Sequence, residues 1–313
     1  MLKASIILAK VLLSAGLVWL AFSKIDLDSG WATVRAITPL ALAAAAAFFA
    51  LQFVLAALRL RAFLRALGVR YRVRAALDVI MIGAFFSQTL ISFVGGDAMR
   101  IWRIVRSRVS VAVAAKSVLF DRIAGFAGLF VLLLAATPFL ARLVQSAEMF
   151  AGQLLIVLLA LGGIGAAFLV RRLPDVAPRW RPFRLAREVV DTGLEIWRSK
   201  RGAWLVLGLS VGIQLLNVVI LYVLGHGLGM DLRFLDGLLL FPTVLFLSML
   251  PISVAGWGVR EGAMIAALAL VGIPPHQGLA LSVCFGLGLI VVSLPGGLVW
   301  LAARHRPIGN AAS

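Results

Sequence analysis

Long apolar runs rich in Leu and Ala alternate along this chain with short basic stretches. Six runs, at about 5–22, 38–58, 117–140, 151–170, 203–224 and 277–302, are long enough to cross a bilayer as helices. A spanning helix needs roughly 20 apolar residues, and lipid requires each span to satisfy its own backbone polar groups. Two further apolar stretches are interrupted. Residues 76–94 run into Gly95-Gly96, and 235–272 holds two short pieces, 237–250 and 262–273, on either side of Pro251 to Glu261.

The basic stretches set the orientation. The loop after the second run carries Arg59, Arg61, Arg65, Arg70, Arg72 and Arg74 and reads as cytoplasmic. The first loop offsets Lys24 and Arg35 with Asp26 and Asp28, so it faces out and the N-terminus lies inside. The run after Lys3 lacks a small-x-small cleavage site and reads as a retained helix. Residues 99–116, with Arg100, Arg103, Arg106, Arg108 and Lys116, also read as cytoplasmic. One crossing cannot begin and end on the same side. The simplest reading of 76–98 is a re-entrant hairpin from the cytoplasm; a true span with a buried basic exit is the alternative. The loop 171–202 is strongly basic, and 183–198 predicts an amphipathic surface helix with Val189, Val190, Leu194 and Trp197 on one face. The last span ends at Arg304-His305-Arg306, which places the C-terminus inside. Residues 235–272 must then start and finish outside, as a second broken hairpin entering from the opposite face.

The predicted fold is an all-α polytopic membrane bundle, one integral domain over 1–313, with six full spans and two broken hairpins. An inverted repeat is compatible with it. Residues 86–100 (FSQTLISFVGGDAMR) and 246–260 (FLSMLPISVAGWGVR) match without gaps at Phe86/Phe246, Leu90/Leu250, Val94/Val254, Gly96/Gly256 and Arg100/Arg260. The repeated elements would be 76–116 and 235–273. Inverted repeats in transporters place substrate sites at discontinuous helices near the midplane.

Composition agrees with the pattern. Hydrophobic residues make up 62% of the chain and charged residues 14%, with a mean hydropathy of +1.06; soluble domains average about 45–50% and 25%. The net charge of +17 lies between the apolar runs, where it favours an anionic leaflet by about 1 kcal/mol per basic residue near the surface. Membrane lipid, not nucleic acid, is the expected partner. Cys284 is the only cysteine, so no intrachain disulfide or cysteine-built metal site is expected, and it reads as a packing residue. The histidines (His226, His276, His305) are scattered, and no Gly-rich loop leads to Lys-Ser or Lys-Thr. No zinc site, ATP motor, cofactor or enzymatic activity is expected.

Ionisable residues at membrane depth are the candidates for function. Arg260 and Glu261 follow Gly256 and Gly258, which let the backbone bend and leave amides open. An arginine fork beside open amides can hold a phosphate; the alternative is that the pair only holds the break. Asp97 and Arg100 occupy the first break, where Asp97 would cap the following helix. Asp121 and Arg122 lie in the third span beyond Lys116; adjacent helical residues point to different sides, so each should meet its own partner, with Asp121 neutralising an arginine. Gln214 and Asn217 share a helix face and read as interhelical glue.

Three segments carry a resemblance: Gly95-Gly96-Asp97-Ala98-Met99-Arg100; Lys116 through Asp121-Arg122-Ile123-Ala124-Gly125; and Pro251 through Gly256-Trp257-Gly258-Val259-Arg260-Glu261-Gly262. Their order resembles the flippase-like membrane domain of the lysyl-phosphatidylglycerol synthase family, over essentially the whole chain. The resemblance implies a protein of the bacterial cytoplasmic membrane that moves lipids or lipid-linked groups between leaflets. Full-length synthases add a soluble aminoacyltransferase domain, and that activity is not carried over to this sequence. The expectation is a translocase of anionic lipid, with Arg100 and Arg260 receiving the headgroup and Asp97, Lys116, Asp121, Arg122, Trp257 and Glu261 around them. Interfacial packing is compatible with a homodimer. An ion- or proton-coupled solute transporter and a non-transporting scaffold are the rival readings.

Overall fold

The computed structural model describes residues 32–89, 95–143, 200–249 and 257–305, with isolated positions between 154 and 194. The described residues are helical, joined by short turns. The helices are α1 (Pro39–Ala66), α2 (Val73–Thr89), α3 (Gly95–Val105), α4 (Val111–Leu143), α5 (Lys200–Gly227), α6 (Phe234–Met249), α7 (Val259–Ala269) and α8 (Pro275–His305). Four of them, α1, α4, α5 and α8, are long and apolar enough to cross a membrane, and they coincide with four of the runs read from the sequence. The run at 5–22 lies outside the described residues, and 151–170 and 183–198 are represented only by isolated helical positions.

Both interrupted stretches are helical hairpins. The helix α2 has 17 residues and α3 has 11, about 25 and 16 Å at 1.5 Å per residue, each short of a ~30 Å hydrocarbon core. They fold back on one another: Gly96 lies against Ser87 and Gly83, Gly83 against Arg100, Arg103 bonds Asp78, and Ser107 meets Tyr71 at the base. The close approach depends on Gly83 and Gly96, because a Cβ at either would collide with the facing arm. In the second hairpin, α6 and α7 have 16 and 11 residues. Leu239 and Leu240 on α6 share an apolar cluster with Ala267, Leu270 and Val271 at the far end of α7.

The helices form two copies of one plan. Lengths run 28, 17, 11 and 33 residues over α1–α4 and 28, 16, 11 and 31 over α5–α8. Both first helices end in the same turn: Gly68 and Gly229 take φ of 82° and 77°, and the next amide reaches back to Leu64 O at 2.8 Å and Gly225 O at 3.0 Å. This is the closure that glycine favours after a helix, since it needs a left-handed residue. The third helices are followed by left-handed residues at matching places, Arg108 (φ 62°) and Gly272 (φ 76°).

The copies are inverted. The helices α1 and α5 run antiparallel: Thr38 N–H donates to Gly227 O at the start of α1, Gln52 meets Ile213 at mid-depth, and Arg59 meets Ser210 further on. Packing is reciprocal, α2 lying on α8 and α4 on α6. Counted from the helix starts, Asp97 corresponds to Glu261, each the third residue of its helix. The ungapped match of Arg100 with Arg260 is therefore displaced, because residues 90–94 separate the first pair of arms and the longer segment 250–258 separates the second.

Gly296 on α8 sits against the Met81 backbone of α2, and Gly262 on α7 faces open space. Gly296→Val is expected to lower the melting temperature in detergent by several degrees, an overpacking cost of about 1–3 kcal/mol, and Gly262→Ala to leave it within one or two degrees. Thermal unfolding of the two variants checks this.

Candidate functional site

The first hairpin delivers its polar residues to one buried cluster. Arg59 enters from α1, Asp97 and Arg100 from α3, and Asp121 and Arg122 from α4. Asp121 receives Arg59 Nε at 2.7 Å on one carboxylate oxygen and Arg100 Nη2 at 2.5 Å on the other. Arg100 Nη1 lies 3.7 Å from Asp97, and Asp97 is also hydrogen-bonded by Arg122 Nε. The charges alternate along a chain: Arg59, Asp121, Arg100, Asp97, Arg122. As adjacent residues on α4, Asp121 and Arg122 do meet different partners. Arg59 also donates to Ser210 Oγ on α5 at 3.2 Å.

A cavity of about 330 Å³ opens beside this chain. All five charged groups line it, together with Gln52 and Ser87; the remaining wall is apolar or glycine and includes Phe53, Phe126 and Met249. Met249 brings the end of α6 to the wall, so both hairpins reach the cavity. Its volume is at the low end of the roughly 300–1,000 Å³ seen for small-ligand sites. Among the described residues Arg100 makes one hydrogen bond, from Nη2, and its Nε is buried without an acceptor. Its Nη1, which makes no hydrogen bond among the described residues, is the group with hydrogen-bonding capacity for a ligand.

An amide ladder lies beside the cavity. Gln52 Nε2 donates to Ile213 O at 3.2 Å and to Asn217 Oδ1 at 2.7 Å; Asn217 Nδ2 donates to Gln214 Oε1 at 2.9 Å; Gln214 Nε2 donates to Gly125 O at 3.0 Å. Gln214 and Asn217 therefore tie α5 to α1 and α4.

The second hairpin gathers its charges separately. Arg260 Nη2 donates to Glu261 Oε1 at 2.8 Å and Arg260 Nε to Ser282 Oγ at 3.0 Å, and Ser282 Oγ donates to Glu261 Oε1 at 3.0 Å. Glu261 Oε2 accepts the Gly258 amide at 2.5 Å, which places the carboxylate on the N-terminus of α7 as its position predicts. Gly258 has φ of 88°, a conformation glycine takes without strain. The Arg260 guanidinium lies 4.8 Å from the centre of the Trp257 ring and also over Phe285. Gly286 leaves room for it; a Cβ there would strike the guanidinium. Arg260 and Glu261 answer one another and do not line the described cavity. Lys116 does not line it either, and Gly256 lies outside the described residues.

Arg59, Gln52, Ser87 and Ser282 are the residues sequence reasoning passed over. Arg59 had been grouped with the topogenic loop arginines, but α1 continues to Ala66 and buries it. Gln52 and Arg59, at i and i+7, fall on one helix face, and Ser210, Gln214 and Asn217 form a polar stripe at i, i+4 and i+7 on α5. That spacing was legible.

Removing Asp121 leaves two buried guanidinium groups without their shared counter-charge. Asp121→Leu is expected to destabilise the protein by about 3–5 kcal/mol, against about 0.5 kcal/mol or less for the exposed Arg65→Leu. Chemical denaturation in detergent measures the difference.

Comparison with known proteins bears on the whole arrangement. The family model described as the lysylphosphatidylglycerol synthase TM region matches residues 7–296. No curated protein matches the chain. With both hairpins, the spans α1, α4 and α5 and the greater part of α8 inside the matched region, the chain belongs to the family of the lysylphosphatidylglycerol synthase transmembrane region.

Proposed function

We propose that this protein is a translocase that carries the headgroup of an anionic phospholipid between leaflets of the cytoplasmic membrane, without enzymatic chemistry of its own. The observation that carries the reading is Arg100: a cation at the wall of a cavity, held by one hydrogen bond, on the short arm of a broken hairpin. Ionisable groups at membrane depth are costly and mark substrate paths. Three guanidinium and two carboxylate groups line the cavity, so its lining favours an anion. A guanidinium fork matches a phosphodiester in shape and charge.

The membrane family supports a lipid-related role. The inverted plan supports transport, since discontinuous helices in inverted repeats form the sites of many transporters. A 330 Å³ cavity suits a headgroup, with acyl chains left in the bilayer. In this reading the Arg260–Glu261 pair holds the second hairpin at its break and does not touch the headgroup in the state described. Both termini lie in the cytoplasm.

Reconstitution into liposomes with headgroup-labelled phosphatidylglycerol tests the reading. Arg100→Ala is expected to reduce transport at least tenfold, and Arg100→Lys to retain part of it because the charge stays while the fork is lost. Asp121 keeps Arg59 as a partner in both variants. Equal rates for wild type and Arg100→Ala would overturn the site, and no transport of any anionic lipid by wild type would overturn the function.

A further inference from the structure

Gln52 has a second role at the cavity that the amide ladder exposes. Its Nε2 carries two hydrogens, and both are used, one on Ile213 O and one on Asn217 Oδ1. A backbone carbonyl only accepts, so the bond to Ile213 O fixes which end of the amide is nitrogen. The group Gln52 has left is its carbonyl oxygen. No donor among the described residues bonds that oxygen, and Gln52 lines the same cavity as Arg100. The ladder holds the side chain in place, and the residue is only 8% exposed.

We infer that Gln52 is a specificity-determining residue whose carbonyl oxygen accepts a hydrogen bond from a donor group on the headgroup, while Arg100 holds the phosphate. The inference rests on the lipid-headgroup reading above. One cavity then offers two unlike features: an arginine cluster for the anion and a fixed acceptor for a hydroxyl or ammonium group. The favoured ligand class is a phosphodiester that bears such a donor within a few bonds of the phosphorus. A phosphodiester with a purely alkyl headgroup would leave the carbonyl of Gln52 facing an apolar group. A buried polar atom deprived of its partner is penalised more than a matched pair is rewarded, so the discrimination should be marked. Ser87, which lines the cavity and makes no hydrogen bond among the described residues, is able to adjust to either ligand because its hydroxyl both donates and accepts.

The test compares two monoanionic lipids in liposomes containing the full chain: phosphatidylglycerol, which carries hydroxyl donors, and phosphatidylmethanol, which carries none. Wild type is expected to move phosphatidylglycerol about tenfold faster, the size of one good hydrogen bond. Gln52→Leu removes the acceptor and should bring the two rates within twofold of one another. Asn217→Leu removes a rung of the ladder but keeps the Gln52 carbonyl, and should keep at least a threefold preference. This variant separates the acceptor from helix packing. If Gln52→Leu does not fold, binding of soluble glycerophosphoglycerol against dimethyl phosphate to wild type in detergent decides, by thermal shift. A shift at least tenfold lower in required concentration for glycerophosphoglycerol supports the inference; equal shifts overturn it. A response to the soluble esters with no transport of either lipid would place the ligand among free phosphodiesters and refute the lipid reading while sparing the role of Gln52. Equal transport of both lipids by wild type would refute the role of Gln52 and spare the lipid reading.

Discussion

Asp121 is a single carboxylate shared by two arginines from different helices, and the first half of the molecule is organised around it. Arg59 reaches it from α1 and Arg100 from α3. Charges removed from water are costly unless paired and hydrogen-bonded. Here the alternation of sign from Arg59 to Arg122 keeps every charge beside its opposite. The chain also links three helices that are otherwise joined by apolar contacts, which in lipid provide no hydrophobic drive toward one another. The same five charged groups form the polar wall of the cavity beside the broken hairpin.

The second half applies the same plan with a different solution. Asp97 and Glu261 are both third residues of the short helical arm, where a carboxylate faces the helix N-terminus. Asp97 takes its guanidinium from Arg122 on α4; Glu261 takes one from its neighbour Arg260. Arg122 and Gly286 are both the twelfth residue of their long helices, and the Arg260 guanidinium packs on Gly286. The acid–guanidinium contact thus recurs in equivalent places although the arginine comes from a different element. In the first half the contact borders a cavity, and in the second it is enclosed by Trp257, Phe285 and Ser282. The two copies related by inversion thus differ in that one acid–guanidinium contact is open to a cavity and the other is enclosed.

Much of this was legible in the residues. Apolar length located the four described spans, and the clash between a basic stretch on each side of 76–94 and a single crossing made a hairpin the simplest reading there. The partners of Asp121 and Arg122 followed in outline from their adjacency on one helix. Register and reach were not legible. An ungapped match aligned two arginines, whereas the extra residues at the second break align two acids instead. Arg59 read as a loop cation because a charge beside five other arginines looks like topology; only the continuation of α1 to Ala66 shows that it turns inward. Sequence reports the depth and charge of Arg260 and Glu261 but not that Ser282, twenty-one residues beyond Glu261, joins their pair.

The central claim is that the five alternating charges act as one unit. Among the described residues Arg59 and Asp97 share no hydrogen bond or ion pair, and are joined through Asp121 and Arg100. The most direct measurement is a double-mutant cycle on unfolding free energy in detergent with Arg59→Gln and Asp97→Asn. A connected chain predicts a departure from additivity above about 0.5 kcal/mol; additivity within about 0.3 kcal/mol, as for independent sites, would contradict it.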